Sequence, residues 1–239
     1  MSPRRVLIVN ADDFGLSDGV NAGIIDAHET GIVTSTSLMV AGTAAPQAAA
    51  YARGAERLSV GLHADLCHWE YEDGEWRAVY ERVDPRDGAA VAAELESQVE
   101  RFRRLLGRDP SHLDSHQHVH LEEPAAAVFR SVGRRLGVPV RRLSGHARYV
   151  GDFYGQTARG EPLHDAISPA ALMGVLRSLP PGTTELACHP GRGMARESSY
   201  GAERELELAA LCDPTVRQTI ESEGIALRSF RVFSSADAG

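Results

Sequence analysis

Two kinds of segment alternate along this chain. Short apolar or β-branched runs have the length of buried strands, and the longer stretches between them repeat apolar residues with helical spacing. Such alternation is typical of parallel strands joined by helical crossovers. We predict strands at 6–10, 32–40, 58–66, 138–144, 184–188 and 226–233, a strand running into a loop at 111–120, and helices at 19–30, 44–53, 91–106, 124–136, 169–179, 202–211 and 214–223.

Seven or so strands in a chain of 239 residues indicate an α/β fold of the (β/α)-barrel kind, distorted or incomplete. No GxGxxG motif follows the first strand, which argues against a dinucleotide-binding sheet. The sequence shows no internal repeat, low-complexity stretch or long linker, so we expect one domain over residues 1–239. Within it, residues 68–88 and 148–164 are expected to be irregular.

Net charge and cysteine content restrict the kinds of binding partner and the cellular compartment that we expect. The net charge of −8 argues against a nucleic-acid or anionic-membrane partner. No apolar run has the length of a membrane span, and the N-terminus leads into a strand without a signal-peptide core. Cys67, Cys188 and Cys212 lie far apart, which indicates reduced thiols in a cytoplasmic protein. The sequence leaves open whether the protein forms a homo-oligomer.

Four predicted strands end in acidic or histidine residues. Asp12 and Asp13 end the first strand within VNADDFG, although adjacent carboxylates repel each other and are costly to bury. The residues at strand ends are Asp12, Asp13, His63, Asp114, His116, His118, His120 and His189. Because the carboxyl ends of barrel strands meet at one rim, where active sites lie, we predict a functional site there.

One carboxylate and two imidazoles suit a divalent transition metal that keeps coordination positions open for water and substrate. Such an ion would explain the paired aspartates, since one can bind the metal while its neighbour removes a proton from water. Adjacent side chains at a strand end point in different directions, so one Asp cannot easily do both jobs. The ion itself is not specified, because Zn, Co and Ni suit the imidazoles and Mg and Mn suit the carboxylate.

The chain carries four motifs in order, LIVNADDFGLSDGVNAGIIDAHETGIVTSTSLMV, GLH, HLDSHQHVH and CHPG. Together they resemble the YdjC/ChbG family of carbohydrate deacetylases (ChbG and HpnK types), from the first strand to roughly the last. The resemblance implies a distorted barrel related to polysaccharide deacetylases and one divalent metal ion. It also implies hydrolysis of a linear amide, with removal of an N-acetyl group from an amino sugar, an oligosaccharide or a glycoconjugate.

The resemblance also implies roles for individual residues. The metal ligands would be Asp13, His63 and His116. Asp12 would be the general base, and His189 would stabilise the oxyanion or protonate the leaving amine. The substrate itself is less well defined than the reaction, because residues 64–90 match no pattern for a particular sugar.

Five further residues are candidates for contacts with the ligands or with substrate. His118 and His120 are expected there rather than on the metal. Asp114 is expected either to orient a ligand imidazole or only to make backbone hydrogen bonds. Trp69 would stack on a sugar ring or pack on its own loop, and Arg142 would bind an anionic substrate group or face solvent.

Two other functions use the same residues. A metal oxygenase with two histidines and one carboxylate is one, but such sites usually sit on all-β scaffolds, which the alternating pattern disfavours. A non-catalytic sugar-binding barrel is the other, although here every matched position is filled. Acetate release without oxygen consumption would support the deacetylase, and binding without turnover would support the sugar-binding barrel.

Overall fold

The computed structural model describes residues 4–193 and 200–233. In chain order its strands are β1 (Arg5–Phe14), β2 (Ser35–Leu38), β3 (Ser59–Ala64), β4 (Cys67–Glu72), β5 (Glu75–Glu81), β6 (Leu113–Ser115), β7 (Arg148–Val150), β8 (Gly182–Cys188) and β9 (Ala226–Arg228). Seven of these form one parallel sheet in the order β6-β3-β2-β1-β8-β7, with β9 also paired to β1. The other two, β4 and β5, form an antiparallel hairpin.

Helices connect the strands of the main sheet. They are α1 (Asp18–Glu29), α2 (Ala45–Gly54), α3 (Gly88–Leu106), α4 (Ala125–Leu136), α5 (Pro169–Ser178), α6 (Ala202–Leu211) and α7 (Pro214–Ser222), with short 3₁₀ helices at His116–Leu121, His164–Ile167 and Phe230–Phe233. Local sequence sets their ends: Ser17 caps α1 by accepting the Val20 N–H, and Gly107 ends α3 in the left-handed conformation. None of these helices is both long enough and apolar enough to cross a bilayer.

The sheet is an incomplete barrel, as the sequence predicts. Within the described residues its two edge strands, β6 and β7, pair with β3 and β8 respectively and not with each other. The segment between them, expected to be a strand at 138–144, makes a single bridge from Val140 to Leu113, and Arg142 then turns away with a φ of +62°. That strand prediction is wrong, because the left-handed residue stops the pairing after one residue.

Residues 68–88 are also more regular than expected, since they contain most of the β4–β5 hairpin. Its two-residue turn is Asp73-Gly74, in which both φ angles are positive. Turns of this kind match the twist of a hairpin and favour Asp-Gly. In the same way, part of the loop expected at 148–164 forms β7.

A glycine in β3 sets one tight contact of the core. A Cβ on Gly61 would lie 2.4 Å from the His112 imidazole, which is buried and stacked on Phe230 with ring centroids 3.9 Å apart. The ring is also held by Ser37 at 3.0 Å and Ser111 at 2.9 Å, so it has little freedom to move.

We therefore expect Gly61→Ala to lower the free energy of unfolding by about 1–3 kcal/mol through overpacking. Gly54→Ala is the matched control, because a Cβ there meets no atom within 4 Å. Urea unfolding of both variants measures the difference. Equal stability of the two would show that His112 can move aside.

Candidate metal centre and active site

Six of the predicted site residues meet at one rim of the sheet: Asp12, Asp13, His63, Asp114, His116 and His189. They lie at the carboxyl ends of β1, β3, β6 and β8, which run in parallel. Asp12, Asp13, His63 and Asp114 are buried, and His116 and His189 are partly exposed. The site is therefore open to solvent on one side and enclosed by protein beneath.

Asp12 and Asp13 point to different partners because the end of β1 is irregular. The pairing with β2 shifts register between Ala11 and Phe14, and Asp13 has a left-handed φ of +69°. Asp12 Oδ1 accepts hydrogen bonds from Asn10 and Arg141, each at 2.7 Å. The bulge thus turns two consecutive carboxylates into two separate groups at one site.

Three side chains around Asp13 could hold a metal ion. Asp13 Oδ1 lies 3.4 Å from His63 Nε2 and 3.1 Å from His116 Nδ1. One potential ligand atom from each residue falls within 4.8 Å of the other two. Asp114 Oδ1 lies 2.9 Å from His63 Nδ1, so the other ring nitrogen faces Asp13. The donor set of one carboxylate and two imidazoles fits a divalent transition metal.

The local charge also favours a cation. Among the described residues, four buried carboxylates belong to the triad or contact Arg141 and two buried guanidiniums oppose them, which leaves two formal negative charges when the imidazoles are counted as neutral. The carboxylates are Asp12, Asp13, Asp114 and Glu185, and the guanidiniums are Arg141 and Arg204. A dication would balance this excess.

The pKa values of Asp13 and His63 reflect the charged groups around them. Burial alone would raise the pKa of Asp13, but Arg204 and the hydrogen bonds from His116 and His63 hold it well below its ordinary value. Burial would lower the pKa of His63, but the Asp114 carboxylate and Asp13 raise it well above its ordinary value.

A second group of donors, Asp12, His63 and Asp114, overlaps the triad through His63. Its two carboxylates already contact one guanidinium, that of Arg141, which is buried between them. Arg141 also contacts Glu185. Because the second group has only one imidazole and both of its carboxylates are already engaged by Arg141, the triad around Asp13, with two imidazoles and one carboxylate, is the better candidate cation site.

His189 lies between two carboxylates. Its Nε2 is 3.8 Å from Asp12 Oδ2, and its buried Nδ1, which has no hydrogen-bond partner among the described residues, is 3.9 Å from Glu207 Oε1. Glu207 also accepts the His189 backbone N–H at 2.5 Å and the Tyr200 hydroxyl. Burial lowers the pKa of His189 to about 4, so the ring is neutral at neutral pH.

Burial raises the pKa of Glu207 from 4.5 to about 8. Between these pH values the folded protein keeps a proton that the unfolded chain releases, so rising pH favours unfolding. We expect Glu207→Gln to gain stability relative to wild type as pH rises from 4.5 to about 8. Thermal unfolding of both proteins across this range measures the effect. Glu205→Gln, at an exposed position of the same helix, is the control, and a pH-independent difference for Glu207→Gln would contradict the prediction.

His118 and His120, the last two histidines of HLDSHQHVH, do not belong to the triad of Asp13, His63 and His116. The strand expected to carry them ends at Ser115, and Gln117 and His118 are left-handed, so 116, 118 and 120 do not share a face. His118 Nε2 lies 3.0 Å from the Tyr149 hydroxyl. His120 is buried, with its ring nitrogens near the Ser115 hydroxyl and the Arg141 carbonyl.

Two predicted substrate contacts lie outside the triad. Trp69 is half-buried on β4, and its backbone N–H and C=O both bond to the Gln117 side chain, at 2.9 and 2.7 Å. Arg142 is exposed and lies over the Tyr149 ring at 4.6 Å. Their contact with substrate stays a prediction.

Sequence reasoning missed three charged residues of the site. It gave Arg141 no role distinct from that of its neighbour Arg142, but the structure buries Arg141 among carboxylates. It gave no role to Arg204 or Glu207, which α6 brings to Asp13 and His189. A signal existed, because α6 has few apolar residues on the face that packs inward, but a charged helix face is usually solvated.

A family model described as YdjC-like protein matches residues 6–222. The chain belongs to the YdjC-like family. Two curated relatives of this YdjC-like chain are a carbohydrate deacetylase of Geobacillus stearothermophilus, 34% identical over 96% of this chain and 98% of its own, and a chitooligosaccharide deacetylase of Citrobacter koseri, 36% identical over 95% and 98%. The family resemblance predicted from the motifs is confirmed.

Solved structures confirm the fold of this YdjC-like protein. A crystal structure from Enterococcus faecalis has a TM-score of 0.79 at 25% identity, covering 96% of this chain and 98% of its own. The polysaccharide deacetylase Bc1974 of Bacillus cereus has a TM-score of 0.57 at 12% identity, covering 95% and 92%. The predicted relation of the barrel to polysaccharide deacetylases is thus correct.

Proposed function

We propose that this protein is a metal-dependent hydrolase that removes an N-acetyl group from an amino sugar, an oligosaccharide or a glycoconjugate. The observation that carries the proposal is the triad of Asp13, His63 and His116 beside a second carboxylate, Asp12. The named activities of the carbohydrate and chitooligosaccharide deacetylase relatives support this class of substrate.

Asp13, His63 and His116 are the proposed metal ligands. A divalent ion held there, whether Mg, Zn, Co, Ni or Mn, would polarise the acetyl carbonyl and lower the pKa of water. Asp114 keeps the His63 ring in place through its contact with Nδ1. Three protein ligands leave coordination positions open, which a hydrolytic site needs.

Asp12 is the proposed general base. Its Oδ1 accepts hydrogen bonds from Asn10 and Arg141, which fix the carboxylate, while its Oδ2 faces His189. Oδ2 is therefore the oxygen that would take the proton of the attacking water. The guanidinium of Arg141 also forms an ion pair with this carboxylate.

His189 is the proposed partner of Asp12 on the leaving-group side. A neutral imidazole can donate an N–H from Nε2 to the developing oxyanion. In its other tautomer, with the N–H on Nδ1, the ring could instead take up at Nε2 the proton that Asp12 has accepted and pass it to the departing amine, since Nε2 lies 3.8 Å from Asp12 Oδ2. A transient imidazolium would favour the ionised form of Glu207, whose Oε1 lies 3.9 Å from Nδ1, and that carboxylate would then stabilise it.

The remaining predictions form part of the same proposal. His120 and Asp114 would support the ligands, and His118, Trp69 and Arg142 would contact the sugar or its substituents. Residues 1–239 would form one deacetylase domain, and the protein would work in the cytoplasm on a small-molecule or glycoconjugate substrate.

Metal analysis joined to an acetate-release assay tests the function. The protein, loaded in turn with each divalent ion, is mixed with N-acetylglucosamine and with short chitooligosaccharides, and acetate and oxygen are both measured. We expect acetate release that depends on metal and consumes no oxygen. Oxygen consumption would indicate an oxygenase, and saturable binding without acetate release would indicate a sugar-binding protein.

A further inference from the structure

The inward face of α6 is unusual because charged side chains occupy it. Glu203, Arg204 and Glu207 are all buried, at 4% exposure or less. Charged side chains are buried only where polar or charged partners are available to them. The partners of Glu207 and Arg204 lie at the rim of the sheet. Of the proposed catalytic residues and metal ligands, Glu207 contacts only His189, whereas Arg204 also contacts the proposed ligand Asp13.

Arg204 contacts the carboxylate at the centre of the triad. Its Nη2 donates to Asp13 Oδ2 at 2.6 Å, and its Nη1 donates to the His189 carbonyl at 3.3 Å. The two oxygens of Asp13 therefore have different surroundings. Oδ1 faces His63 and His116, and Oδ2 is engaged by a guanidinium.

We propose that Arg204 is a positioning residue that restricts Asp13 to binding the metal through one oxygen. This inference rests on the proposed metal site at Asp13, His63 and His116. With Oδ2 engaged, the carboxylate offers only Oδ1 and cannot use a further coordination position. Arg204 thereby keeps positions free for water and substrate.

The same contact lowers the strength of metal binding. The guanidinium draws negative charge away from the ligand and adds a positive charge near a dication. A more weakly donating ligand leaves the metal a stronger Lewis acid. Arg204 thus weakens metal affinity and raises turnover, the opposite of what a residue that merely supports a ligand would do.

Neutral substitutions of Arg204 distinguish a residue that weakens metal binding from one that merely supports a ligand. We expect Arg204→Met and Arg204→Gln to bind Co²⁺ about tenfold more tightly, or more, because the repulsion is removed and Oδ2 is released. Their visible Co²⁺ absorption should weaken as Asp13 supplies a second oxygen, and kcat should fall. Arg204→Lys keeps the charge and should resemble wild type in affinity and spectrum.

Competition with a chromophoric chelator gives the affinities, and thermal unfolding with and without Co²⁺ checks that each variant folds. Glu207→Gln is the matched control, because it lies on the same face of α6 and contacts His189 but not Asp13; its Co²⁺ affinity should match wild type. Weaker Co²⁺ binding by the neutral variants, or their failure to fold even with Co²⁺, would make Arg204 a structural support and overturn the inference. So would an Arg204→Lys variant that behaves like the neutral ones. Absence of acetate release by wild type would instead refute the proposed function, while the Co²⁺ titrations would still decide the role of Arg204.

Discussion

Replacing Asp13, His63 or His116 by alanine is expected to reduce metal affinity by more than about 100-fold and nearly to abolish acetate release. Losing a residue that only orients a ligand typically costs 10–100-fold, and loss of one of three ligands should cost more. Metal content after dialysis and acetate release, measured on the same samples, check the result.

His118→Ala is the matched control, because His118 belongs to the same short 3₁₀ helix as His116 but points to Tyr149. It should keep its metal. Full metal occupancy in any one of the three alanine variants would remove that residue from the ligand set.

Replacing Asp12 and Asp13 one at a time by asparagine is expected to separate the effect on proton transfer from the effect on metal binding. In Asp12→Asn the amide oxygen can still accept from Asn10 and Arg141, so metal binding should be nearly unchanged. The amide cannot take a proton, and kcat should fall by about 10²–10⁴ with little change in substrate binding. Asp13→Asn should instead weaken metal affinity, and added metal should restore part of its activity.

Steady-state kinetics and metal titration of both variants make the comparison. If the two variants behave alike, the division of labour between Asp12 and Asp13 is wrong. If Asp12→Asn loses metal and Asp13→Asn keeps it, the two roles are exchanged.

The general plan of the fold could be read from the sequence because the central strands β1, β2 and β3 are almost wholly buried and lie in runs rich in apolar and β-branched residues. The β4–β5 hairpin could not be found in this way, because it has no such burial. All residues of β5 are exposed, so no buried face imposes a period of two on the sequence. The Asp73-Gly74 turn was the available signal, and it depends on turn chemistry and not on hydrophobic pattern.

The candidate site was predictable where it depends on strand ends and not where it depends on helix packing. Asp13 and His63 follow directly from strand position. Arg204 comes from α6, 191 residues from Asp13 along the chain, and no local pattern connects the two. In a sequence, a helical arginine that will be buried cannot be distinguished from an exposed one, because its partner is set by the tertiary structure.

The contacts of Arg141 have a consequence for how the molecule is assembled. This one side chain ties together residues 129, 27 and 44 positions away, namely Asp12, Asp114 and Glu185. Each tie closes a long loop of chain, and its entropic cost is recovered only when all the partners are in place. The guanidinium that contacts the proposed base thus joins the edge strand β6 to β1 and β8. Turnover consequently reports on completion of the fold: a molecule whose last strands have not docked retains the Asp-Asp sequence but has no catalytic site.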